Sequence, residues 1–193
     1  MAKTAKFDRE EVVNKAMNLY WQKGFHATSM RNLQDVIDMR PGSIYASFGS
    51  KEGLFKEALQ NYARLSIVQI RACAAAASPL HALKQLLRQM IVDSCHQAPS
   101  DMCMLAKTVA ELTEDNAELL KEARLLLAEI ELVFAEVFLK AKACGELSEH
   151  VDAQALASYI QVQIMGLRTY ARTTGNIERV EVLIDNLFKQ GFH

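Results

Sequence analysis

Apolar residues return every three or four positions through most of the chain, with polar residues between them, a pattern that predicts helices. Val12, Val13, Ala16, Met17, Leu19 and Tyr20 follow the capping pair Asp8 and Glu11 and stop at Gly24, giving a first helix. Met30, Leu33, Val36 and Ile37 form the stripe of a second. Thr28 and Ser29 suit its N-cap, and Asp38, which tolerates left-handed backbone, suits the turn that ends it. Pro41, at home in a first helical position, opens a third helix running to about Phe48, with Ile44 and Phe48 facing inward. Ser50 caps a fourth, which begins at Lys51 and carries Leu54, Phe55, Ala58, Leu59, Tyr62, Leu65 and Ile70 into an alanine run, Ala74 to Ala77. Ser78 and Pro79 start a fifth, with Leu80, Leu83, Leu86, Leu87, Met90 and Ile91, that fades at His96 to Ser100. A short sixth lies around Met102 to Leu112, and a long seventh from Asn116 to Cys144 is stopped by Gly145. The eighth and ninth run from about Asp152 to Arg172 and Ile177 to Phe188. No segment alternates long enough for a strand. The predicted fold is all-α: a three-helix head, residues 1–53, fused to a helical body, residues 54–193, with about nine helices in all.

The third helix is too short and too poor in helix formers to stand alone in water, so it requires packing from behind. Its other side, Gly42, Ser43, Tyr45, Ala46 and Ser47, is small or hydrogen-bonding and free of acids, which suits approach to phosphate oxygens and base edges. Overall charge is −1, which argues against a general polyanion binder, but residues 1–53 hold eight Lys and Arg against six acids. The basic excess sits where this unit sits.

Three motifs at fixed spacing, Thr28 to Leu33, Gly42-Ser43-Ile44-Tyr45-Ala46-Ser47-Phe48 and Ser50-Lys51-Glu52-Gly53-Leu54-Phe55, resemble the helix-turn-helix of the tetracycline-repressor (TetR) family. Asp38 stands where that family usually has a turn Gly, Gln34 where a small residue is usual, and Gly53 where an acid often completes a capping box. The resemblance implies a ligand-responsive transcription regulator, usually a repressor, acting as a homodimer on palindromic double-stranded operator DNA. By analogy with docked helix-turn-helix units, Arg40, Ser43 and Ala46 are candidates for base or near-base contact beside Pro41. Thr28, Gly42, Tyr45 and Lys51 are candidates for phosphate contact, Lys51 also lying at an anion-favouring helix N-terminus. Alternatives are an activator on the same scaffold or a helical adaptor that does not bind DNA.

The eighth helix carries Leu156, Tyr159, Ile160, Val162, Ile164, Met165 and Leu167 around more than one face, and Gly166 in mid-helix suggests close approach of another helix. The last two helices are therefore the expected dimer interface. A small-molecule effector is expected among the fourth to eighth helices, with Tyr62, Met90, Met102, Met104, Phe134 and Tyr159 as adaptable or flat apolar walls. Cys103, at the start of the sixth helix, is a second kind of candidate: Met102-Cys103-Met104-Leu105 resembles a G-C-L-L element through which some members of the family sense electrophiles or oxidants. An ordinary buried thiol is the competing reading.

Nothing in the chain matches a serine-hydrolase elbow, a Walker loop, a zinc-protease helix or a dinucleotide fingerprint, so no enzyme activity and no cofactor are expected. The five histidines are scattered, and Cys95-His96 with Cys103 offers at most a remote metal site. Four cysteines in a chain this size predict reduced thiols. No targeting or membrane segment is evident, which predicts a cytoplasmic protein, and Lys3 and Lys6 form either a frayed terminus or a basic arm.

Overall fold

A computed structural model describes residues 8–93 and 98–190. Among these residues the helices are α1 (Arg9–Lys23), α2 (Met30–Ile37), α3 (Pro41–Phe48), α4 (Lys51–Ala74), α5 (Pro79–Arg88), α6 (Met104–Glu111), α7 (Ala117–Ala143), α8 (Ala153–Thr174) and α9 (Ile177–Gln190). The Lys3/Lys6 arm, Cys95-His96 and His193 lie outside the described residues.

Each head helix starts and stops for a local reason. Asp8 accepts from the N–H groups of Glu10 and Glu11. Ser29 and Asn32 exchange side-chain and backbone bonds in a complete capping box, and Asp38 closes α2 in the left-handed region at φ 51°. The expected cap at Thr28 is therefore Ser29 alone. Val36, assigned to the inner stripe, is exposed, so α2 is anchored chiefly by Leu33 and Ile37. Behind these helices Tyr20, Phe25 and Phe55 pack as an aromatic cluster, with Tyr20–Phe55 centroids 4.7 Å apart and Phe25–Phe55 4.9 Å. Burial of such rings is what holds the short α3 in place.

α4 starts inside the head and continues unbroken for 24 residues, packing on α1 near its start and on α7 farther along. α7 is the axis of the body and also meets α5, α6 and α8. Its inner face is Ala123, Ile130, Val133, Phe134, Val137, Phe138 and Ala141, all buried. Two irregular turns were not foreseen. α5 passes into a π-helical turn, Gln89–Asp93, and a 3₁₀ turn, Glu114–Asn116, precedes α7. Ser78 occupies the N-cap of α5 but makes no side-chain cap bond, and the Leu80 N–H is instead taken by Glu146 at 2.9 Å. Among the described residues no helix is long and apolar enough to cross a membrane.

Candidate DNA interface and body cavity

On α3, Ile44 and Phe48 are buried while Arg40, Pro41, Gly42, Ser43, Tyr45 and Ala46 are exposed, Tyr45 by 49%. Six of the eight residues expected to meet DNA thus lie on one outward surface. Arg9 fixes its far end: the guanidinium donates to the Ser47 carbonyl at 3.1 Å, lies 4.4 Å over the Phe48 ring and pairs with Glu57. The exposed Arg31 on α2 is a further basic side chain beside this surface in sequence, legible as such but not singled out.

The other two residues are turned inward. Thr28 is fully buried and its hydroxyl donates to the Gly24 carbonyl at 2.6 Å. The ammonium of Lys51 donates to the Phe25 carbonyl at 2.7 Å and lies 4.2 Å over the Phe25 ring. Desolvation holds its pKa below the usual lysine value, against the pull of Glu52 and Glu111. A carbonyl and an aromatic face thus take the charge that was expected to meet phosphate. Both residues secure the turn between α1 and α2.

Gly53 was read as a weakened capping box. Its N–H still reaches Ser50 Oγ at 3.1 Å, but a Cβ on it would stand 2.0 Å from the Phe48 carbonyl oxygen. The absent side chain is what lets α4 leave so close to the end of α3.

A second set of contacts joins the head to the body through α6. The Glu111 carboxylate accepts from the Phe25 N–H at 3.1 Å and the His26 N–H at 2.7 Å. Lys107 donates to the Trp21 and Gln22 carbonyls at 3.0 and 2.8 Å, placing a cation at the C-terminal end of α1, where the helix dipole favours it. Trp21 Nε1 donates to the Met102 carbonyl at 2.6 Å. These bonds span 81 to 86 positions of sequence, and no periodicity reports them.

Cys103 is the N-cap residue of α6, which begins one residue later than a helix starting at Cys103 would. Beside it lies a narrow apolar slot of about 40 Å³, lined by Tyr62, Ser66, Ile70, Met90, Phe134, Met165 and others. Four of the expected wall residues, Tyr62, Met90, Cys103 and Phe134, are brought together there. Met104 is not among them: it is 1% exposed and belongs to the packed core. Nor is Tyr159, which is exposed on the opposite side of α8 facing α9. A helix has one inward stripe, and Ile160 and Ile164 occupy it, so the Tyr159 ring must leave it. Met102 contributes its carbonyl to Trp21.

Two wider cavities adjoin the slot, of about 250 Å³ and about 300 Å³, and all three share Met90 and Arg168. Tyr62 is buried against Cys103, and desolvation pushes its phenol well above its ordinary pKa, so it stays neutral. Arg168 was missed by the sequence reading, although a signal existed: it continues the inward stripe Ile160, Ile164, Ala171, where a charge is out of place. Among the described residues no cluster of three or more His, Cys, Asp or Glu is placed to hold a metal.

A family model described as "Bacterial regulatory proteins, tetR family" matches residues 12–58, and one described as "Tetracyclin repressor-like, C-terminal domain" matches residues 79–187. The chain is 25% identical over 182 residues to the HTH-type transcriptional repressor ComR of Escherichia coli (strain K12), covering 90% of this chain and 84% of ComR. It is 42% identical over 57 residues, 30% of the chain, to the repressor BdcR of the same organism, covering 29% of BdcR. In structure it is similar to the regulator CifR, as a triple cysteine mutant complexed with 26 bp double-strand operator DNA. There the TM-score is 0.83 at 25% identity, over 98% of this chain and 99% of that one. The two family models between them account for the exposed α3 surface and for most of the body behind it, and the chain belongs to the tetR family of bacterial regulatory proteins.

Proposed function

We propose that the chain is a transcriptional repressor that reads operator DNA with α3 and is released by a ligand entering the cavity beside Tyr62, Met90 and Phe134. The observation that carries this is the outer surface of α3: Arg40, Ser43, Tyr45 and Ala46 exposed together and free of acids, on a helix whose buried residues are Ile44 and Phe48. ComR and BdcR, both named as repressors, and CifR with its operator support the same use of the scaffold. In this reading residues 1–53 are the reading head and 54–193 the regulatory body. Arg40, Pro41, Gly42, Ser43, Tyr45 and Ala46 form the contact surface, and Thr28 and Lys51 support it from within. The protein works in the cytoplasm and has no catalytic role.

The route from cavity to DNA is α6. Its N-cap, Cys103, borders the slot, and its last turn holds Glu111 on the Phe25 and His26 N–H groups immediately ahead of α2. Any ligand that shifts α6 must displace those bonds, and with them the angle of the head.

Dimerisation is assigned to α8 and α9. Tyr159, Val162, Tyr170 and Val182 are exposed there, and a groove between the two helices is lined by Gln163, Gly166, Leu183 and Asn186 among others. A Cβ on Gly166 would meet nothing within 4 Å in one chain. Nothing among the described residues therefore asks for glycine there, whereas a second subunit packing on this face would.

The test is a mobility-shift assay with the DNA upstream of the protein's own reading frame. An Arg40→Ala, Tyr45→Ala double variant that folds as the parent does should lose binding and show a shallower salt dependence, by about 0.9 in log–log slope for each phosphate contact removed. Undiminished binding would reject α3 as the reading helix.

A further inference from the structure

Arg168 is 5% exposed, yet it forms no ion pair among the described residues. One nitrogen, Nη2, donates to the Met90 carbonyl at 3.1 Å, inside the π-helical turn where α5 loosens. The other two, Nε and Nη1, are buried without a hydrogen-bond partner among the described residues. Such a group is costly. A lysine here could shed its proton, but a guanidinium does not deprotonate in a protein, so the charge needs an anion. Among the described residues that line the cavities with it no carboxylate pairs with it: Tyr62 is a neutral phenol, Cys103 is a thiol, and Ser66, Met90, Ile91 and Ala171 carry no charge. Asp101 borders the outer cavity but is not within ion-pair distance, and Arg172 on the same rim adds a second positive charge.

Arg168 lines all three adjoining cavities, so its two unpaired donor nitrogens lie just behind the space a ligand would enter, to be reached once the side chains around them give way. Two turns earlier on α8, Gln161 lines the slot. Its Nε2 donates to the Leu127 carbonyl at 3.3 Å, which fixes the amide orientation, and its Oε1 is buried without a partner. The slot the two share is also lined by Ile70, Met90, Ile130, Phe134, Ile164 and Met165. Seven residues of helix separate Arg168 from Gln161, about 10 Å along the axis. The cavity thus has a cationic donor at one end, a lone acceptor at the other and an apolar wall between.

We propose that Arg168 is the anion receptor of the effector site, and that its ligand is an amphiphilic carboxylate whose apolar body runs along α8 toward Gln161. This rests on the reading of the cavity as the effector site but goes beyond it, since it fixes the ligand's charge. The slot itself holds little more than one water's share of volume, so the body of the ligand must displace the Met90 and Met165 side chains, which adapt readily.

The test uses the full-length protein and three probes of equal chain length, decanoate, 1-decanol and decylammonium, with calorimetric titration and thermal shift as readouts. Decanoate should bind about 10- to 100-fold more tightly than decanol, as expected for one charge-assisted hydrogen-bonded pair, and decylammonium should not bind. Arg168→Met should remove the preference for decanoate while keeping decanol binding, and should melt at or above the parent temperature, because it replaces an unpaired buried charge. Arg168→Lys should keep decanoate binding to within about 10-fold. Equal affinity for decanoate and decanol in the parent, or undiminished decanoate affinity in Arg168→Met, would overturn the proposal. So would a stability loss on Asp101→Asn matched by Arg168→Met, which would identify Asp101 as the counter-ion. If Arg168→Met does not fold, the probe ratio in the parent and in Arg168→Lys decides. DNA release is measured separately. Tight decanoate binding without release upholds the anion site and removes only the effector reading, whereas release by decanol as effective as by decanoate overturns the anion site and leaves the effector reading standing.

Discussion

Replacing Gly53 by alanine sets two effects of opposite sign against each other. A glycine inside a helix costs about 1 kcal/mol relative to alanine, so propensity alone favours the substitution. Glutamate would do more on the same reasoning, because Ser50 is the N-cap and position 53 is where an acid completes the capping box. The tertiary contact opposes both. The added Cβ would stand 2.0 Å from the Phe48 carbonyl oxygen, where ordinary contact begins at 3.4 Å, so the two must separate by well over 1 Å. The obstacle is backbone and has no rotamer to change. Phe48 is also buried and clamped beneath Arg9. Overpacking of this kind costs about 1–3 kcal/mol or more, which exceeds the gain in propensity. We expect Gly53→Ala to be destabilised by about 1–2 kcal/mol, lowering the melting temperature by about 2–8 °C for a chain of this size, and Gly53→Glu to behave alike. Helical circular dichroism during heating measures this, and a mobility-shift assay on folded protein at low temperature should show weakened DNA binding because the end of α3 has moved. A melting temperature at or above the parent's in both variants would refute the steric argument and restore the capping-box reading.

Lys51→Met should lower stability by about 1–2 kcal/mol through loss of its bond to Phe25, and should weaken DNA binding without changing the salt slope; a slope reduced by about 0.9 would return Lys51 to the phosphates. Tyr45→Phe, which keeps the exposed ring and removes only the hydroxyl, should leave the stability within about 0.5 kcal/mol of the parent's while reducing DNA affinity. Glu111→Ala should leave ligand affinity at the cavity intact and reduce the change in DNA affinity that ligand causes, measured by titrating operator with and without ligand; unchanged coupling would exclude α6 as the route. Gly166 is exposed and a Cβ there meets nothing within 4 Å among the described residues, so Gly166→Arg should fold, yet light scattering should report a mass near 21.6 kDa where the parent reports twice that; a dimer in both would move the interface elsewhere.

Much of the head was legible because its information is local. Asp8, Ser29, Asp38, Pro41 and Ser50 act within about four residues of themselves, through caps, a left-handed turn and a preset φ, so each can be read where it stands. The stripe Ile44 and Phe48 fixes which side of α3 faces out by periodicity alone. In the body the same periodicity found the helices, and it is their packing that brings Tyr62, Met90, Cys103 and Phe134 to one slot; neither spacing nor residue type separates cavity wall from core, as Met104 shows.

What the chain's own order of residues determined, then, is where helices begin and end, which face of each is apolar and which surface is acid-free, since these follow from hydrogen bonds and side-chain spacing inside a single element. Only the tertiary structure decided which partner each polar or absent side chain meets. Lys51 finds Phe25 26 positions away, Glu111 finds it 86 away, and Arg168 reaches Met90 across 78. The need for Gly53 likewise depends on the angle at which α4 leaves α3. Such pairings are set by how packed helices cross, a property of the assembled core that is carried by no one segment, and they are where a lysine becomes a structural clasp and an arginine is left buried with two donors unpaired.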